Sequence, residues 1–289
     1  MSPSADQLRA GAEAASAALP ALMLSAERLA ASLTAGAHGQ RRAGTGEDFW
    51  QYRPATQGDT ARSIDWRRSA RSDGQFVRDR EAQVAQSAVL WVSAAAGMDF
   101  SGGADRPAKR DRAALLALAL ALGLLVGGER VALAGQPPRP GRMQADRIAE
   151  ALVARVPLPA DEDTPPAEAL RPGQRIVLID DFLGDPTPVL AYLDRAAVLG
   201  VRGALLQVLD PDEEAFPYGG AVLFRSASGA LRHDTRDAGG LRAAYLARLA
   251  ERRAALTRAA ATAGWHFGTH DTAAPPAQAL LWLWSVLEG

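Results

Sequence analysis

Apolar residues follow two periods along this chain, and from Gln86 onward the two alternate. Val89 to Val92 is a short, continuous apolar run rich in Val and Trp, the mark of a strand covered on both faces. Arg110 to Val126 is apolar on nearly every side, which predicts a helix sunk in a core and closed by Gly127 and Gly128. Further strands are predicted at Val131 to Ala134, Arg175 to Ile179 and Gly203 to Leu209, with helices at Arg142 to Val156 and Thr187 to Leu199. Pro157 to Pro172 is a Pro-rich connector. Strands that alternate with helices imply parallel βαβ units, hence an α/β fold with a mostly parallel, Rossmann-like sheet flanked by helices.

Ala221 to Phe224 and Ala230 to His233 flank Ser-Ala-Ser-Gly and predict an added β-hairpin within 216–238. Gly239 to Gly264 reads as a long helix whose Arg248, Arg252, Arg253 and Arg258 form a solvated face. Trp265 to His270 would be a last strand, and Ala277 to Leu287 a closing helix. Upstream, residues 1–36 are Ala/Leu-rich, and Leu19, Leu22, Leu29 and Leu33 share a helical face, with Pro20 dividing two helices or starting the second. Residues 37–85 hold no steady period and predict short strands and loops. The expected division is therefore a helical segment 1–36, an irregular segment 37–85 and an α/β domain 86–289.

Composition narrows the function classes. At 289 residues and 48% hydrophobic the chain can bury a large core, and a net charge of -1 argues against wrapping nucleic acid through bulk charge. Lysine occurs once, at Lys109, a bias towards Arg that a GC-rich coding sequence explains. The absence of Cys removes thiolate nucleophiles, disulfides and Cys-based zinc sites together. No secretory leader is evident, and the longest apolar run, Ala113 to Val126, is shorter than the ~20 residues a bilayer requires. A cytoplasmic protein without membrane insertion is expected.

Candidate chemistry is sparse. There is no Gly-x-Ser-x-Gly elbow and no phosphate-binding Gly-x4-Gly-Lys loop, and Gly44-Thr-Gly46 precedes the first sheet strand rather than following it. His266, His270 and Asp271 invite a metal or general-base reading, yet Gly264 and Gly268 oppose the helix that would align the imidazoles, and a strand-end role is favoured. Asp180 and Asp181 at a strand end suit a solvated loop or a helix N-terminus. Alternatively, with His270, they could serve a metal- or phosphate-dependent enzyme built around an acquired metal or a phosphate substrate at the strand ends.

The densest signature lies in Gly44 to Arg71. Gly46, Phe49, Tyr52-Arg53, Gly58-Asp59, Arg62, Ile64-Asp65-Trp66, Ser69-Ala70-Arg71 and Val77-Arg78, in that order, resemble the bacterial domain-of-unknown-function 58 family. Asp181-Phe182 and Gln207-Val-Leu-Asp-Pro211 look like later landmarks of the same family. The resemblance implies a von Willebrand A-like domain with the signature as an N-terminal elaboration. It also implies partnership with a MoxR-type AAA+ ATPase that matures or remodels a client protein. Many longer members carry N-terminal membrane helices that this chain lacks.

A metal-ion-dependent adhesion site in such a domain would place Asp-x-Ser-x-Ser after the first strand, and here Ser93, Ala95 and Gly97 occupy those positions. They offer a hydroxyl, a methyl and no side chain, with Asp181 as a neighbouring carboxylate. Hard oxygen ligands for Mg2+ are mostly missing, so a degenerate site without metal or cofactor is expected. In the signature itself, Arg53, Arg62 and Arg71 could pair with Asp59 and Asp65 while Trp50 and Trp66 pack on the sheet, or the same residues could form a protein-docking surface. Nine Arg against six Asp/Glu over residues 41–80 is a small surplus for nucleic acid. The functional expectation is a non-enzymatic adaptor, with an enzyme or a degenerate paralogue acting as a structural subunit as the alternatives.

Overall fold

A computed structural model describes residues 19–33, 49–54, 64, 66–69, 76–80, 87–158, 163–225 and 232–288. The chain divides into two compact units, one of Ala37–Ala85 and one of Met1–Gly36 with Gln86–Gly289. The described residues 19–33, which include Pro20, are helical and form α1.

Within the smaller unit, β1 (Phe49–Pro54) precedes the short helix α2 (Trp66–Ser69) and β2 (Phe76–Arg80). The two strands pair antiparallel with Tyr52 opposite Arg78, and the register shifts between Phe49 and Gln51. Ser69 Oγ accepts the Phe76 N–H at 3.0 Å, tying helix to strand.

In the larger unit, β3 (Ser87–Val92), α3 (Lys109–Val126), β4 (Arg130–Leu133), α4 (Arg142–Val153), β5 (Gln174–Asp180), α5 (Thr187–Val198) and β6 (Arg202–Leu209) follow in order. Then come α6 (Pro211–Ala215), the hairpin β7 (Val222–Arg225) and β8 (Arg232–Thr235), α7 (Arg242–Thr262), β9 (His266–Asp271) and α8 (Pro276–Glu288). The main sheet is five-stranded in the order β4-β3-β5-β6-β9, and every pair in it is parallel. The chain is therefore α/β, with strand direction of travel reversing between β3 and β5. In open sheets of this kind that crevice is where ligands lodge.

Side-chain alternation builds two cores. Leu90, Val92, Val177, Ile179, Leu206 and Val208 pack with α1, α3, α4 and α8, while Val89, Trp91, Ile176, Leu178 and Leu205 pack with α5 and α7. Helix α3 is apolar all round because the sheet covers one side and other helices cover the rest. Gly123 admits that crowding, since a Cβ there would come within 2.7 Å of Leu33 Cδ1 and 2.9 Å of Trp284 Cζ3. Gly203 in β6 is tighter, for its Cβ would stand 1.9 Å from the Ile176 carbonyl oxygen.

Some boundaries differ from the sequence reading. α4 stops at Val153 rather than Val156, because Val156 precedes Pro157 and that position disfavours helical backbone. The hairpin strands lie one or two residues later than expected, and α7 is entered through a 3-10 turn at Gly239–Leu241. α6 was not anticipated. Asp210 caps it by accepting the Asp212 N–H while the Glu213 side chain returns to the Asp210 N–H, a reciprocal capping box.

Candidate functional site

At the switch point the end of β3 runs into Ser93, Ala94 and Ala95, whose donors converge on one oxygen. Asp163 Oδ2 accepts from Ser93 Oγ at 2.7 Å, Ala94 N at 2.6 Å and Ala95 N at 2.9 Å. Asp163 comes from the connector between α4 and β5. Ser93 is buried, so its hydroxyl requires this partner. Ala96 N and Leu158 N exchange bonds with the connector and the loop at 2.8 Å each, which holds Asp163 close to the strand end. The carboxylate fills the anion-accepting turn that β3 creates.

Asp180 closes β5 beside it, with a buried Oδ1 that has no hydrogen-bond partner. Burial first and the neighbouring Asp181 charge second push its pKa up to about 7, against contacts from Ser93 and the Asp181 N–H that favour the ionised form. This carboxyl therefore holds a proton far more readily than a solvated aspartate.

Asp181 faces the other way. Its Oδ1 accepts the Leu183 N–H at 2.9 Å, forming the turn that puts Phe182 at φ 49, and its Oδ2 meets Lys109 Nζ at 2.8 Å. Gly97 leaves the carboxylate room, since a Cβ there would make a tight 3.0 Å contact with Asp181 Oδ2. The expectation of a solvated pair of aspartates is corrected here: Asp181 is 7% exposed and ion-paired, and Asp180 Oδ1 is buried. The amine comes from the first residue of α3, one position earlier than the helix was expected to start.

Lys109 also reaches Glu213 Oε1 at 2.6 Å. Beyond it, Arg106 lies 3.3 Å from Asp210 Oδ1 and 3.1 Å from Asp212 Oδ1. Arg253 Nε donates to Gln207 Oε1 at 2.7 Å and its other end pairs with Glu214, while Arg252 donates to the Phe182 and Gly184 carbonyls. The solvated Arg face expected of α7 is thus corrected at Arg252 and Arg253, which turn inward onto strand-end loops, while Arg248 and Arg258 are exposed.

His270 lies apart from this chemistry. Arg112 Nη1 is 3.2 Å from its Nε2, and the same guanidinium donates to the Thr272 and Ala274 carbonyls at 2.7 and 2.6 Å. Burial and the Arg112 charge lower the His270 pKa to about 4. A neutral ring whose Nε2 accepts from an arginine organises the loop after β9, as the strand-end reading expected.

Of the signature residues, Arg53 lies in β1, Trp66 opens α2 and is 56% exposed, and Asp59, Arg62, Asp65 and Arg71 fall outside the described residues. Among the described residues no group of three or more His, Cys, Asp or Glu could hold a metal ion. Among the described residues a cleft of about 40 Å³, room for a few waters, opens beside Trp91, Ala95, Asp163, Asp180 and Asp185. Sequence reasoning missed Asp163, Glu213 and the site role of Lys109. Asp163 sits in a connector with no pattern to mark it, but a lone Lys among 32 basic residues was a usable signal.

A family model for the protein of unknown function DUF58 matches residues 51–255. An uncharacterized protein of Mycobacterium bovis and two from strains of Mycobacterium tuberculosis are each 30% identical over 213 residues, covering 67% of this chain and 65% of theirs. The match spans just under two thirds of the length of those relatives. Among solved structures, an aerotolerance-related membrane protein from Bacteroides fragilis is similar at 15% identity and a TM-score of 0.41, over 70% of this chain and 98% of that one. The conserved hypothetical protein BatB from Bacteroides thetaiotaomicron is similar at 14% identity and 0.40, over 71% and 100%.

Proposed function

The chain belongs to the DUF58 family of proteins of unknown function, and from that premise we propose that it is a non-enzymatic adaptor that docks on a MoxR-type AAA+ ATPase and presents a client protein to it. The observation that carries this reading is the occupied strand-end crevice. Asp163 fills the turn after β3, Lys109 neutralises Asp181, and the remaining cleft of about 40 Å³ has room for a few waters. An enzyme of this fold would need that space. No helix among the described residues is long and apolar enough to cross a membrane, which fits engagement with an ATPase in the aqueous phase.

In this reading the partner supplies ATP hydrolysis, the signature unit around Trp66 provides docking area, and the sheet's C-terminal edge near Ser93 and Asp181 meets the client without a metal. Exposed aromatic and Arg groups suit docking because interfaces enrich both. The test is binding of the full chain to purified MoxR-type ATPases of the same organism, in ATP and in ADP. Nucleotide-dependent binding is expected. If the folded chain binds none of them in either nucleotide, the adaptor reading is wrong.

A further inference from the structure

Thirty-two residues of this chain are Lys or Arg, and Lys109 is the one lysine among them. It is also fully buried at 0% exposure and heads the largest buried side chains of the core. A chain that uses Arg everywhere else has kept an ammonium where charge is hardest to bury. The surroundings explain the choice of a compact point charge. Nζ sits 2.8 Å from Asp181 Oδ2 and 2.6 Å from Glu213 Oε1, two carboxylates brought from the loop after β5 and from α6 to one spot, with the Phe100 ring centroid 5.8 Å away. A planar guanidinium is wider and could not occupy that point without pushing the carboxylates apart.

Each carboxylate divides its work in the same way. One oxygen serves the local fold, Asp181 Oδ1 with Leu183 N at 2.9 Å and Glu213 Oε2 with Asp210 N at 3.0 Å, and the other oxygen points at the cation. Oxygens that converge from separate elements on a central charge are how proteins hold hard divalent ions. We infer that Lys109 is the resident cation of this strand-end site, a tethered ammonium occupying the place a divalent metal ion could otherwise hold. The ammonium stays charged: burial lowers its pKa, but the Asp181 and Glu213 charges outweigh that and raise it. That protonation rules out a nucleophilic amine. Burial raises the Glu213 carboxyl in spite of Lys109. The inference goes beyond the adaptor reading and holds whether or not an ATPase binds.

Bond lengths make it testable. The Glu213 oxygen at 2.6 Å stands at the upper edge of the ~2.3–2.6 Å of Ca2+ coordination and the Asp181 oxygen at 2.8 Å just outside it, and a side chain truncated at Lys109 leaves space for the ion and its waters. Thermal melts of the full-length wild type, Lys109→Ala and Lys109→Ala with Asp181→Asn are compared in NaCl and in millimolar CaCl2 or MgCl2 of equal ionic strength. The wild type should not respond. Lys109→Ala should melt lower and regain several degrees with a divalent ion, and the double variant should lose that response.

A wild type that itself gains stability from the divalent ion, or a folded Lys109→Ala that responds to none, overturns the inference. Should Lys109→Ala not fold without metal, refolding in CaCl2 and the charge-neutral pair Lys109→Met with Asp181→Asn decide the matter. Recovery in CaCl2 supports the inference; recovery only in the double variant, whose Met keeps the bulk of Lys109, or in neither, overturns it.

Discussion

Arg112 and His270 form a buried donor–acceptor pair, with Nη1 3.2 Å from Nε2, and only the neutral imidazole can play its part. Arginine has no acceptor, so Nε2 must carry the lone pair and Nδ1 the proton. The His270 pKa is lowered to about 4 from 6.5, so the unfolded chain binds the proton more tightly than the folded one. The contribution of this pair is complete above pH 6.5 and is lost as pH falls towards 4. His270→Gln offers Arg112 an acceptor that does not titrate in this range. Urea unfolding of the variant should show a shallower loss of stability between pH 6.5 and 4 than the wild type; equal slopes would mean that His270 is not the acid-sensitive group.

Asp180 acts in the opposite sense across an overlapping range. Its folded pKa is raised to about 7 from 3.8, chiefly by burial, so the folded state holds a proton that the unfolded state releases. Below about pH 4 both states are protonated and the carboxyl costs nothing. As pH rises to 7 the penalty grows, since ionisation is favoured only in the unfolded chain. Asp180→Asn removes it while keeping the shape. The variant should melt at the same temperature as wild type near pH 4 and several degrees higher at pH 8, and a lower melting point at pH 8 would show that the carboxylate is compensated.

Asp163 gives three donors a common acceptor, and Ser93 Oγ is buried among them. Asp163→Ala leaves those donors to whatever water can enter, a cost of roughly 1–3 kcal/mol. Partial exposure of Asp163 puts the expected value towards the lower end. Removing its charge should also lower the Asp180 pKa, because Asp163 is one of the groups that raise it. Denaturant midpoints at pH 7 measure the first effect, and a weaker fall in stability between pH 4 and 7 measures the second. A midpoint equal to wild type would mean that the β3 turn does not depend on this carboxylate.

How much of this was legible depended on whether a signal was periodic. Continuous apolar runs marked β3, β5 and β6, and the unbroken Ala/Leu run of Ala113 to Leu122 marked α3, because a helix packed on nearly all sides shows no polar face to confuse the reading. Ser93 and Asp181 were placed at strand ends through the family resemblance rather than through any periodic signal. What fills the crevice there was not legible. Asp163 is brought to Ser93 across 70 residues by an irregular connector, and the Lys109 contacts with Asp181 and Glu213 span 72 and 104 residues. No local pattern encodes such a meeting. The capping box at Asp210 was local and readable, since Asp-Pro followed three residues on by Glu is a helix start; it was passed over because the segment read as the end of a strand.

Trp66 carries the most direct prediction of the adaptor reading. It is 56% exposed at the first residue of α2, within the stretch that the family model matches, and a large aromatic left in water is a recurrent anchor of protein interfaces. Trp66→Ala removes surface area without opening a cavity, so stability should change by less than about 0.5 kcal/mol. Binding to the ATPase should weaken by about 2 kcal/mol or more, roughly thirtyfold, if the ring is an anchor. Calorimetric titration of the variant against the ATPase, paired with a thermal melt, separates the two effects. A variant that melts as wild type and binds as tightly would move the docking surface away from α2, whereas a large drop in melting temperature would mean that the ring supports the signature unit itself.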